Sequence, residues 1–150
     1  MSPLLLAVAV AVVPGEGVPE SVARRAGAVL ERALHGVEGS IELHLFRTAS
    51  EMERAAGRGR AAGFAAWYDP GRRRVLAWMA PRPEEALWRD GLTGALLGAL
   101  VHEAEHVRGG LSVPGYGRRP LWRREGEADR DAAALLAGAL ADLPGAGALR

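Results

Sequence analysis

The chain has 150 residues, 49% of them hydrophobic and only 5% aromatic, with a formal net charge of +1. That length suits one domain with its own core, filled mostly by Ala, Leu and Val, and the near-neutral balance argues against a nucleic-acid partner. There is no cysteine, so no disulfide and no thiolate ligand can form, and any metal site must use His and carboxylate groups.

Leu4–Val13 is an apolar run too short to span a bilayer. It lacks the basic flank and the small-x-small cleavage site of a signal peptide, and the turn-rich stretch Pro14–Glu20 leads from it into a helix. It therefore reads as a first strand, which favours a cytoplasmic over a secreted protein. Val22, Ala26, Val29, Leu30 and Ala33 recur at helical spacing and predict a helix over Pro19–Leu34, ended by Gly36 and Gly39. Ile41, Leu43 and Leu45 alternate with Glu42, His44 and Phe46, which predicts a second strand. A strand–helix–strand unit of this length implies a parallel pair with a right-handed crossover.

Thr48–Ala56 reads as a short helix and Gly57–Gly63 as a loop. Asp69-Pro70-Gly71-Arg72 is a turn signal between Phe64–Tyr68 and Arg74–Met79, so these two runs form a hairpin. Beyond Pro81 and Pro83 the pattern turns helical, from an N-cap at Asp90 to about Val107, with Gly109-Gly110 as the stop. Leu111–Arg119 reads as a Gly/Pro loop, and Pro120 opens a last helix that runs to about Leu143. No repeat or linker interrupts the chain, so residues 1–150 read as a single domain.

The chemistry centres on His102-Glu103-Ala104-Glu105-His106, an H-E-x-x-H sequence. Residues four apart lie on one helix face, so both imidazoles can bind one zinc ion. Glu103, beside His102, can reach a water at the open coordination position, take its proton and return it to a leaving amine. A third ligand has two sources on the last helix. Glu125 and Asp129 are i and i+4, and so are Glu127 and Asp131, about 200° around the helix from the first pair. One pair can face the metal, not both. In the pair that does, the Glu is the ligand and the Asp holds a ligating imidazole by its other nitrogen.

Pro120-Leu121-Trp122-Arg123-Arg124-Glu125-Gly126-Glu127-Ala128 resembles the P-x-W-x-x-E-G-x-A segment of gluzincin peptidases, the clan of thermolysin and the zinc aminopeptidases. Eighteen residues separate His106 from Glu125, similar to the aminopeptidase arrangement. The run from Glu125 through Asp129 to Leu135 and Leu136 is similar to the E-x-E-A-D-x-x-A-x-x-L-L helix of minimal gluzincins. The resemblance implies His102, His106 and Glu125 as ligands of a Zn2+ ion, Glu103 as general base and Asp129 behind a histidine. Phe64–Gly71 and Arg74–Met79 also resemble the hairpin that precedes the ligand helix in thermolysin-like folds. There the first strand is a free edge that binds a peptide by strand addition, which here implies Gly63, Phe64, Ala65, Ala66 and Trp67, continuing to Tyr68.

The chain departs from the larger peptidases in the donor that steadies the oxyanion. No His or Tyr follows Glu125, so the candidates are Tyr116, Tyr68, His44 and His35. Tyr116 is the choice, because the glycines on either side let the backbone carry it over the metal. The expectation is an α+β fold of minimal gluzincin-like (zincin) type, a small mixed sheet with an edge hairpin and two metal-ligand helices. The expected activity is that of a zinc metallopeptidase, a hydrolase acting on a peptide or protein substrate through a zinc-activated water. The alternative is a gluzincin-like domain that keeps zinc and a peptide or protein partner but cuts weakly or not at all.

Overall fold

A computed structural model describes residues 8–57, 65–79 and 94–142. The architecture is α+β: a four-stranded mixed sheet with four helices. In chain order the elements are β1 (Val8–Pro14), α1 (Glu20–Ala33), β2 (Gly39–Phe46), α2 (Ala49–Ala56), β3 (Ala66–Asp69), β4 (Arg74–Trp78), α3 (Gly94–Ser112) and α4 (Leu121–Asp142). The sheet order is β1-β2-β4-β3, with β1, β2 and β4 parallel and β3 antiparallel to β4. Among the described residues, no helix is long and apolar enough to cross a membrane.

Alternation on β2 sends Ile41, Leu43 and Leu45 into one core with Val22, Ala26, Val29 and Leu30 of α1. A Cβ on Gly27 would collide with Val12, so this glycine lets α1 lie close against β1. On the other face α2, begun by a Thr48–Glu51 capping box, sets Met52 and Ala56 against Leu76 of β4. Arg74 ties the layers by donating to Asp69 Oδ2 at 3.2 Å and to the Ala55 carbonyl at 3.1 Å. The first helix and α3 share a face of the sheet, where Leu96, Leu97, Leu100 and Val101 complete the larger cluster. Arg108 of α3 donates to the Ala33 and His35 carbonyls, capping the C-terminal end of α1.

Two expectations need correction, and several fall wholly or partly outside the described residues. Gly109-Gly110 does not stop α3, which continues to Ser112. Gly109 is there for room, because a Cβ would overlap the Tyr116 ring, whereas one on Gly110 would meet the Tyr68 ring only in ordinary contact. The stretch after α3 is not loop throughout, because Tyr116–Arg118 forms a 3-10 turn. The Leu4–Ala7 part of the first strand, the Gly57–Gly63 loop after Gly57, the Gly63 and Phe64 part of the substrate edge, the Asp90 cap and the Leu143 end of the last helix lie outside the described residues.

Candidate metal centre

On α3, Leu96, Leu100, Glu103 and Val107 make one helical stripe, and His102, His106 and Gly109 the adjacent one. The first stripe faces the core, so Glu103 is a carboxylate where the pattern calls for an apolar side chain, and it is buried. The second stripe faces α4 and the 3-10 turn. Along α4, Ala128 is buried against the rest of the molecule while Glu125, one turn earlier, stays half-buried at the seam with α3.

At that seam His102 Nε2 lies 3.1 Å from Glu125 Oε2 and His106 Nε2 lies 2.9 Å from Glu125 Oε1. The two Nε2 atoms are 3.2 Å apart. A tetrahedral ion with bonds of about 2.0–2.1 Å holds its donors roughly 3.3 Å apart. The three atoms are close to one face of such a tetrahedron, and the group could hold a metal ion. Two nitrogens and one carboxylate suit a borderline divalent transition ion better than Ca2+ or Mg2+, which take oxygen donors.

Each imidazole is also held from behind. Asp129 Oδ1 is 2.8 Å from His102 Nδ1, and the Tyr116 hydroxyl is 2.8 Å from His106 Nδ1. A carboxylate can only accept, so with a metal ion at Nε2 the His102 ring would carry its hydrogen on Nδ1, donated to Asp129. Burial pushes the His106 imidazole below the usual histidine range, against the pull of the Glu125 carboxylate. A neutral ring is the form that binds metal.

Glu103 has its pKa pushed up to about 8 by burial, with the Glu125 charge as the second cause. A hydrogen bond from the Tyr68 backbone N–H opposes that rise. The edge strand explains this bond. The Trp78 N–H donates to Ala65 O at 3.2 Å, and the register pairs Ala66 with Ala77 and Trp67 with Leu76. Alternation then turns the backbone groups of Ala65 and Trp67 toward β4, and those of Ala66 and Tyr68 away from it. Tyr68 spends its outward N–H on Glu103, and Ala66 is the neighbouring outward residue.

The structure thus brings together His102, Glu103, His106, Glu125 and Asp129, with Ala66 and Tyr68 on the adjoining strand. Glu127 is turned away and paired with Arg119 and Arg123 at 3.2 and 3.0 Å. His44 sits on the sheet face away from α1, 3.5 Å from Glu42, and His35 lies just past the end of α1. Tyr116 is seated differently from expectation: its hydroxyl is on the far nitrogen of His106, on the side away from the donor triangle. Sequence reasoning missed this contact and the Arg108 cap. A signal for the first was present, since Gly109 falls three residues after His106 on the same helix face, where a ring can approach. Compared with family models, with curated proteins and with solved structures, the chain matches none.

Proposed function

We propose that this chain is a zinc-dependent metallopeptidase of the gluzincin kind. The observation that carries the reading is the donor triangle of His102, His106 and Glu125 with a buried carboxylate, Glu103, beside it. The donor set favours zinc among divalent ions, and the short spacing supports tetrahedral coordination with one position left over. The antiparallel edge strand above the ligand helix also supports the reading, since it can take up an extended peptide.

A bound zinc supplies a Lewis acid for the scissile carbonyl and lowers the pKa of an attacking water. The residues do the rest. Glu103 removes a proton from that water as its oxygen joins the carbonyl carbon. It then passes the proton to the amide nitrogen as the C–N bond breaks, releasing an amine and a carboxylic acid. The Tyr68 N–H keeps the Glu103 carboxylate aimed from the strand, and Ala66 pairs with the peptide backbone.

One observation favours a second reading. Tyr116 is occupied by His106, so its hydroxyl is not placed as an oxyanion donor. A domain that holds zinc and a peptide but cuts slowly or not at all would be built this way. One experiment separates the two. Purified full-length protein is analysed for metal, reconstituted with zinc, and assayed on a mixture of unstructured peptides. Zinc with turnover that Glu103→Gln abolishes supports the peptidase. Zinc with peptide binding and no turnover selects the second reading, and no zinc uptake overturns both.

A further inference from the structure

We infer that Tyr116 is a positioning residue for the metal centre, holding His106 in the orientation that aims Nε2 at Glu125 and His102, and that Gly109 exists to seat it. The inference rests on the metal-binding reading and adds to it a part that the motif itself does not contain.

An imidazole is a good ligand when one nitrogen offers a lone pair at a fixed angle and the other carries a held hydrogen. His102 meets this condition through the Asp129 carboxylate, 2.8 Å from its Nδ1. His106 has no carboxylate on its Nδ1. The group there is the Tyr116 hydroxyl, also at 2.8 Å. With Nε2 turned to the triangle, Nδ1–H donates to the phenol oxygen, and Tyr116 keeps its own O–H for a further acceptor. The two histidines are thus unequal ligands. One is backed by a charge that raises its basicity, the other by a neutral hydroxyl that fixes its angle.

Three elements converge to put Tyr116 there. Gly115 adopts the left-handed conformation, φ 73°, that turns the chain back toward α3. The 3-10 turn then closes with Arg118 N–H on Gly115 O and Arg119 N–H on Tyr116 O, at 3.0 and 3.1 Å. From α4, the Arg124 guanidinium lies 6.0 Å from the ring centroid, and its Nε donates to Arg119 O at 3.1 Å. From α3, Gly109 leaves the space the ring fills, and any Cβ would overlap ring atoms. Glycine inside a helix costs about 1 kcal/mol relative to alanine. An aromatic with no task beyond covering a loop would not need that sacrifice in the last turn of α3.

The test measures zinc affinity and metal-free stability side by side in the full-length chain. Tyr116→Phe adds no atom and removes only the hydroxyl. It is expected to weaken zinc binding about 10- to 100-fold, the usual effect of losing a partner behind a ligand, with the unfolding midpoint of the metal-free protein little changed. In the zinc-loaded protein the His106 Nδ1–H proton is expected to give a protected NMR resonance that exchanges with water in Tyr116→Phe. Gly109→Ala displaces the ring and is expected to weaken zinc comparably, and the double variant no further than the worse single one. Equal zinc affinity in Tyr116→Phe and the unmodified chain overturns the inference and leaves the metal centre standing. Absence of zinc binding in the unmodified chain overturns the metal centre and this inference together.

Discussion

The first helix and α3 lie on the same face of the sheet and spend their buried surface in opposite ways. Under β1 and β2, α1 presents Val22, Ala26, Val29, Leu30 and Ala33, and no titratable side chain is buried there. Toward β3, α3 begins in the same manner with Leu96, Leu97, Leu100 and Val101, then buries Glu103 and His106. Buried charge costs free energy unless something holds it. In this second region the groups of the candidate site have named partners: Tyr68 N–H for Glu103, Asp129 for His102, Tyr116 for His106. The comparison teaches that one half of the molecule supplies stability and the other uses it to hold groups that would not otherwise be buried together.

The sharpest way to break the comparison is to remove a donor. His102→Ala or Glu125→Ala is expected to lose nearly all zinc by elemental analysis after reconstitution, with the α1 half still folded by circular dichroism. If either variant keeps its zinc, the donor triangle is misassigned. A smaller effect is expected from Glu103→Gln, which keeps zinc and loses about 10²- to 10⁴-fold in peptide hydrolysis. Release of the metal by this variant would make Glu103 a ligand and not a base.

The apolar half is tested by Leu100→Ala. Leu100 is fully buried where α3 still behaves like α1. Denaturant unfolding is expected to show a loss of about 2–5 kcal/mol, while the molecules that remain folded bind zinc as before. Zinc affinity falling in step with stability would mean that the two regions are not separable. Less is expected from Ala66→Pro, which removes one outward N–H from β3. Peptide cleavage is expected to drop by about 3- to 10-fold, the worth of one hydrogen bond, with zinc content intact. An unchanged rate in a folded, zinc-loaded variant would show that substrate does not pair with this edge. The smallest effect belongs to Glu127→Ala, which should leave zinc binding unaltered, because Glu127 faces Arg119 and Arg123. A loss matching that of Glu125→Ala would mean that α4 is rotated from the orientation described.

Much of this was legible residue by residue, because periodicity is a local property. The 3.6-residue stripe of α1, the alternation of β2 and the turn at Asp69-Pro70-Gly71 each announce an element without reference to the rest of the chain. The spacing of His102, Glu103 and His106 likewise puts two imidazoles on one helix face from sequence alone. Spacing could not choose between Glu125 and Glu127, since both occur on the same helix with an Asp four residues on. The resemblance of Pro120–Ala128 pointed to Glu125, and the crossing of α4 over α3 turns the Glu125 oxygens to the two Nε2 atoms and Glu127 to two arginines. Gly109-Gly110 shows the same limit. Read locally, two glycines end a helix. In the fold they lie inside α3, where the Tyr116 ring from the turn before α4 occupies the space a side chain on Gly109 would need. A residue's own conformational preference is written in the sequence, but what stands against it in space is set by segments far along the chain, and only their packing decides which preference prevails.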